Sequence, residues 1–158
     1  MSAQLAVVDA AVAELAALPG ALLPILHAIS DRLGFVPPAA VARIALALNL
    51  SQAEVHGVIT FYHDFRTTPP GDHVLKLCRA EACQAMGCER LERRLHEHYG
   101  LAMKQTSADG RLTVEPVYCL GNCALSPAVL LDGELKGRVT EQRLDELIAG
   151  LGKARVRA

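Results

Sequence analysis

The sequence predicts an α+β protein with two parts: a four-helix N-terminal domain over residues 1–68, and an α/β domain with a small mixed sheet over residues 69–158. Three observations carry this expectation. Apolar residues recur at helical spacing from residue 5 to residue 65. A breaker, Thr67-Thr68-Pro69-Pro70-Gly71, then interrupts the pattern. Beyond it, short apolar runs alternate with amphipathic helical stretches, and an Asp132-Gly133 turn follows.

In the first half, Leu5, Val8, Val12 and Leu15 share one helical face. Leu22, Ile25, Leu26, Ile29 and Leu33 follow the Pro19-Gly20 break, and Val41, Ile44, Ala45 and Leu48 follow Pro37-Pro38. Ser51 and Glu54 form a capping-box pattern at the head of a fourth helix, whose stripe is Val55, Val58, Ile59 and Tyr62. After the breaker, His73-Val74-Leu75-Lys76-Leu77 is too short and apolar for another helix and reads as a strand. An amphipathic helix is expected from about Gln84 to Tyr99, then strands around Leu112–Tyr118 and Ala128–Leu131, and a short fourth strand after the hairpin turn. Thr140 is placed to cap a closing helix with Leu144, Leu147, Ile148 and Leu151 on its apolar face. Strand and helix alternating before a hairpin is a small layered arrangement of the thioredoxin-like kind.

Composition narrows the function. The 158 residues can bury a real core without disulfide staples. Sixteen basic against 17 acidic residues leave a formal charge of −1, which gives no general attraction to nucleic acid or anionic membrane. The first 30 residues are interrupted by Asp9, Glu14, Pro19 and Gly20, and fit neither a signal peptide nor a membrane span; a cytoplasmic location is the expectation. Five cysteines, an odd number in a reducing compartment, point to metal binding, reactivity or packing.

Four of those cysteines form a pattern. Cys78 and Cys83 are spaced Cys-x4-Cys, and Cys119 and Cys123 are spaced Cys-x3-Cys, each pair just beyond the end of an expected strand. If the two strands are neighbours in one sheet, both loops reach the same edge, where four thiolates could converge. Cys88 falls outside this pattern. It lines up with Leu91 and Leu95 at helical spacing and reads as a small core hydrophobe. Three chemistries compete for the four. Structural zinc uses Cys-x2-4-Cys knuckles, and neither spacing here is the common Cys-x2-Cys. A thiol–disulfide catalyst needs Cys-x-x-Cys at a helix start, also absent. A [2Fe-2S] cluster takes four thiolates as two pairs in wider loops whose amides can reach its sulfurs, with Gly87 and Gly121 easing close backbone approach. The plant-type ferredoxin spacing is not present, so a cluster would need another fold.

At these residues the chain resembles a family: the thioredoxin-like [2Fe-2S] subunit shared by respiratory complex I, NAD-reducing hydrogenases and the gamma subunit of NAD-dependent formate dehydrogenase. The resemblance runs from about Gly20 to Leu151. It includes Gly20-Ala21-Leu22-Leu23-Pro24-Ile25-Leu26-His27, Gly34-Phe35-Val36-Pro37, Val55-His56-Gly57-Val58-Ile59-Thr60-Phe61-Tyr62 with Phe65, and both cysteine pairs. It implies that Cys78, Cys83, Cys119 and Cys123 are the ligands of one [2Fe-2S] cluster. The stretch from Cys78 to Gly87 is most similar to the formate dehydrogenase gamma subunits. For that branch the resemblance implies a flavin- and NAD-binding partner subunit carrying FMN and a [4Fe-4S] cluster, within a larger assembly that oxidises formate at a molybdenum or tungsten centre. The same role in hydrogenase or complex I is the first alternative, and a structural zinc-binding adaptor is the second.

The remaining features have plainer readings. Phe61, Tyr62 and Phe65 could form a docking surface or an electron path, and are expected to be core. His96 and His98 are expected on solvated helix positions. Gly150-Leu151-Gly152 follows a helix rather than a strand, which suits a helix cap better than a nucleotide loop. Lys153, Arg155 and Arg157 read as a frayed tail. The sequence has no Ser/His/Asp motif, Rossmann fingerprint or P-loop, so no complete active site is expected in this chain. The helical half, with apolar residues on more than one face, is expected to hold a partner subunit.

Overall fold

The computed structural model describes residues 2–152, and the tail residues Lys153, Arg155 and Arg157 lie outside them. The chain divides into two compact units, Met1–Pro69 and Pro70–Ala158. Among the described residues no helix is long and apolar enough to cross a membrane.

The first unit holds α1 (Ser2–Leu15), α2 (Leu22–Leu33), α3 (Ala40–Leu48) and α4 (Gln52–Phe61). Its core consists of the apolar stripes that the helical period marks: Val8 and Ala11 from α1, Ile25, Leu26 and Ile29 from α2, Ile44 and Ala45 from α3, and Val55 and Ile59 from α4. Local chemistry marks the ends of α2 and α3 and the start of α4. Gly34 closes α2 in the left-handed region and donates its N–H to the Ser30 carbonyl at 2.7 Å, and Asn49 closes α3 in the same region. The capping box forms at α4: the Glu54 N–H donates to Ser51 Oγ at 3.1 Å, and the Ser51 N–H donates to Glu54 Oε2 at 2.8 Å. The Arg32–Glu14 and Arg43–Asp9 ion pairs join α1 to α2 and α3, but such exposed pairs contribute little to stability.

The aromatic group at the end of α4 corrects the sequence expectation. Phe65 is core, and the Val36 N–H, donating to the Arg66 carbonyl at 2.8 Å, ties its segment back toward α2. Phe61 and Tyr62 are 73% and 44% exposed. The helix stops at Phe61 and Tyr62 is extended (φ −89°, ψ 105°), so both rings leave the buried stripe and stack edge-to-face on each other, centroids 5.1 Å apart.

The second unit is built on a five-stranded mixed sheet. Its strands are β1 (His73–Cys78), β2 (Gln105–Thr106), β3 (Leu112–Val117), β4 (Val129–Leu131) and β5 (Glu134–Lys136), in the order β2-β3-β1-β4-β5. β1 and β3 are parallel, with His73 opposite Leu112 and Cys78 opposite Val117; the other pairings are antiparallel. Asp132 and Gly133 both take positive φ, as a tight two-residue hairpin between right-twisted strands requires. Three helices accompany the sheet: α5 (Glu81–Ala85), α6 (Cys88–Tyr99) and α7 (Glu141–Ala149). Leu91 and Leu95 of α6 and Leu144 of α7 share one core with Leu75, Leu77, Val114 and Val129 of the sheet. At the rim of that core Asp145 of α7 accepts two hydrogen bonds from the Arg94 guanidinium and one from the Tyr99 hydroxyl at 2.8 Å. Thr140 caps α7, its Oγ1 accepting the Arg143 N–H at 3.1 Å.

Two elements differ from expectation. The single helix from Gln84 to Tyr99 is two helices, because Gly87 adopts φ +88° between Ala85 and Cys88 and breaks the helical path. β2 has no counterpart in the sequence pattern, since its two exposed residues carry no alternation to read.

The capping box gives the first test. Ser51→Ala removes the acceptor of the Glu54 N–H and is expected to cost about 1 kcal/mol, measured as a lowered denaturation midpoint with unchanged denaturant slope.

Candidate metal centre

Parallel pairing decides where the cysteines go. Cys78 is the last residue of β1 and lies opposite Val117, the last residue of β3, so the segments following both strands leave the same end of the sheet. Backbone bonds pin the exit: the Cys78 N–H donates to the Ala128 carbonyl at 3.1 Å and the Arg79 N–H to the Val117 carbonyl at 2.8 Å. The first segment passes through Arg79 and Ala80 into α5, which carries Cys83. The second runs from Tyr118 through Asn122 into a short 3-10 turn, Cys123–Leu125.

The four thiols form two pairs of different character. Cys78 and Cys83 are buried, whereas Cys119 and Cys123 are exposed with their sulfurs 3.8 Å apart. Burial disfavours ionisation of Cys78. Hydrogen bonds from the N–H of Ala80, the Cys83 thiol and the N–H groups of Cys119 and Leu120 together outweigh it, so this thiol ionises below its ordinary value. Two of those donors come from the opposite loop, which brings Cys119 and Leu120 to the Cys78 sulfur. Cys119 Sγ accepts the Gly121 N–H at 3.3 Å. The hydrogen bond with Cys119, and then its charge, push the Cys123 thiol up. Among the described residues, no group of three His, Cys, Asp or Glu side chains closes on one point as a single-ion site would.

Backbone conformation holds this loop open to its sulfurs. Cys119 has φ +93° and Gly121 φ +72°. A non-glycine residue in that region costs on the order of 1–3 kcal/mol, and such strain persists only where the surroundings enforce it. Gly137 supplies part of the enforcement. A Cβ there would lie 2.7 Å from Leu125 Cβ and 2.8 Å from Asn122 Nδ2, so the segment after β5 runs hard against the cysteine loop, and the Arg138 N–H donates to the Leu125 carbonyl at 2.6 Å.

Other singled-out residues stand apart. Cys88 is fully buried with Leu91 and Leu95, and burial, followed by the nearby Cys83, pushes its thiol up, as suits a protonated core side chain. His96 and His98 are exposed on α6. Gly150 caps α7. Gly87 is required by its positive φ, and the space a Cβ would take is held by the Arg90 guanidinium rather than left open toward the cysteines.

Three contributors are not legible in the sequence. The amide donors around Cys78 depend on loop dihedrals that residue names do not encode. Gly137 has the look of an ordinary turn glycine. Ser126, buried before Pro127, reads in sequence as turn chemistry, yet its Oγ lies 3.4 Å from Cys83 Sγ and donates to the Cys123 carbonyl at 2.8 Å. The donor set, four cysteine sulfurs in two pairs with backbone N–H groups aimed at them, has the chemistry that an iron–sulfur cluster requires.

Comparison with known proteins agrees with this reading. The family model for thioredoxin-like [2Fe-2S] ferredoxins matches residues 8–152. A subunit of the NADH-quinone oxidoreductase of Pseudomonas aeruginosa is 33% identical over 123 residues, covering 78% of this chain and 74% of that protein. The corresponding protein of Mycobacterium bovis is 32% identical over 131 residues, and there the match covers 83% of this chain and 52% of the relative. Among solved structures, an NAD+-reducing [NiFe]-hydrogenase in the H2-reduced state superposes with a TM-score of 0.69 at 28% identity, over 82% of this chain and 22% of that one. With most of its helical half, the whole mixed sheet and both cysteine pairs inside the matched span, the chain belongs to the thioredoxin-like [2Fe-2S] ferredoxin family, whose members carry one [2Fe-2S] cluster.

Proposed function

We propose that this chain is an electron-transfer subunit of an NAD-linked complex, and that Cys78, Cys83, Cys119 and Cys123 are the ligands of its [2Fe-2S] cluster. The observation that carries the ligand set is the parallel β1–β3 pair, which delivers both cysteine loops to one end of the sheet. Bound there, the cluster supplies one-electron carriage. The chain's own residues do the rest. The N–H groups of Ala80, Cys119 and Leu120 stabilise negative charge on the Cys78 sulfur, and Gly121 does the same for Cys119. Cys119 and Cys123, being exposed, put one side of the centre within reach of a partner. Met86, Tyr118 and Leu125, exposed by 56%, 71% and 40%, flank the cysteines in the chain and suit a docking rim.

The partner is read as a flavin- and NAD-binding subunit, carrying FMN and a [4Fe-4S] cluster. The relatives' membership of NADH-quinone oxidoreductase and NAD+-reducing hydrogenase supports that class. Within it, formate dehydrogenase is the preferred complex on the resemblance of Cys78–Gly87 alone; hydrogenase and complex I are the alternatives. Five free thiols suit a reducing, cytoplasmic setting. The helical half, with Phe61 and Tyr62 exposed, is assigned to assembly.

Purified without oxygen, the protein is expected to hold about two irons and two sulfides per chain. Zinc near one per chain with no visible absorption would refute the cluster. Cys119→Ala is expected to lose or destabilise the centre, while Cys88→Ser keeps its spectrum and costs roughly 1 kcal/mol or more by burying a hydroxyl. Equal cluster loss in both variants would mean a different ligand set. A chain beginning at Pro69 is expected to retain the cluster spectrum and to lose stable association with the flavin-binding partner. Full co-purification would move the docking surface to the cluster domain, and loss of the cluster would make the two halves one cooperative unit.

A further inference from the structure

Ser126 is one of three buried polar or charged residues among those described, 6% exposed, and it touches both cysteine pairs. Its Oγ is 3.4 Å from Cys83 Sγ and 2.8 Å from the Cys123 carbonyl oxygen. While Cys83 is a thiol, its one hydrogen can go to the Ser126 hydroxyl oxygen or to the Cys78 sulfur, and the hydroxyl itself donates to the Cys123 carbonyl. A metal-bound cysteine is a thiolate and has no proton to give. The hydroxyl oxygen would then face a negatively charged sulfur, and its single hydrogen has two acceptors to choose between. The Cys123 carbonyl does not depend on that hydrogen, since it also accepts the Ser126 backbone N–H at 3.3 Å. The sulfur is the better acceptor, because a hydrogen bond to a charged partner is about twice as strong as one between neutral groups.

We propose that Ser126 is a positioning residue that sets the ease of reduction of the centre. When Cys83 carries the cluster, the Ser126 hydroxyl turns from the Cys123 carbonyl to the Cys83 sulfur and favours the reduced state. This rests on the reading that Cys83 is a ligand. Reduction adds negative charge that the thiolate sulfurs share, so a donor at one of them stabilises the reduced state more than the oxidised one. Cys78 draws on backbone amides, which only proline would remove and at the cost of the loop's conformation, whereas the donor at Cys83 is a side chain and can be deleted by itself.

The test uses the full chain as unsubstituted protein, Ser126→Ala, and the isosteric pair Ser126→Thr and Ser126→Val. Each is titrated with dithionite, followed by electron paramagnetic resonance, and assayed for iron. The Ala and Val variants are expected to keep their iron but to be harder to reduce, by roughly tenfold in the reduced-to-oxidised equilibrium, which is about 59 mV for a one-electron couple. The Thr variant, which keeps the hydroxyl, is expected to stay near the unsubstituted protein. Full iron with an unchanged midpoint in the Ala variant overturns the proposal. Loss of iron from the Ala variant also overturns it, because the hydroxyl would then be building the loop rather than tuning the sulfur. Failure of the underlying ligand reading is recognised separately: Cys83→Ala would retain its full iron.

Discussion

The parallel pairing of β1 with β3 is the constraint on which the centre depends. The two strands are separated in the chain by α5, α6 and β2, yet their register sets Cys78 opposite Val117 and so fixes where both cysteine segments begin. A one-residue slip would turn every side chain of β1 to the other face, exposing Leu75 and Leu77 and carrying Cys78 away from the Cys119 and Leu120 amides. The burial of Leu75, Leu77 and Val114 therefore does more than stabilise the sheet. It holds the register that places the sulfurs.

Around this register, the protein surrounds its sulfurs with backbone rather than with charged side chains. Amides of Ala80, Cys119, Leu120 and Gly121 point at Cys78 or Cys119, and the Ser126 hydroxyl lies beside Cys83. Such an arrangement needs unusual loop dihedrals. Cys119 at φ +93° is one consequence, and the close passage of Gly137 against Asn122 and Leu125 is the support that keeps the loop so folded. Cys88 shows the contrasting use of the same residue type. It sits on α6 among Leu91 and Leu95, where a thiol packs as a small apolar group.

Much of this was legible in the sequence, for identifiable reasons. The four N-terminal helices follow from a 3.6-residue period bounded by local signals, and the Ser51–Glu54 box is complete within four residues. The Asp132-Gly133 turn likewise needs only its own two residues. The cysteine pairs could be picked out because their spacing and their position after strands are both one-dimensional facts. What stayed hidden depends on conformation or on distant neighbours. Gly87 lies inside an otherwise helical pattern, and only its positive φ divides α5 from α6. Hydropathy assigns Phe61 and Tyr62 to the interior, while the end of α4 turns them outward. Ser126 and Gly137 matter because of residues that the fold brings to them, Cys83 and Leu125, and neither meeting can be read from the chain order.

The most direct test of the centre is iron K-edge X-ray absorption on the anaerobically purified protein. A cluster held by Cys78, Cys83, Cys119 and Cys123 gives each iron about four sulfur neighbours and about one iron neighbour, and replacing Cys88 leaves that environment unchanged. An iron environment with nitrogen or oxygen ligands, or a metal with no second metal nearby, would contradict the assignment of the four cysteines to one [2Fe-2S] centre.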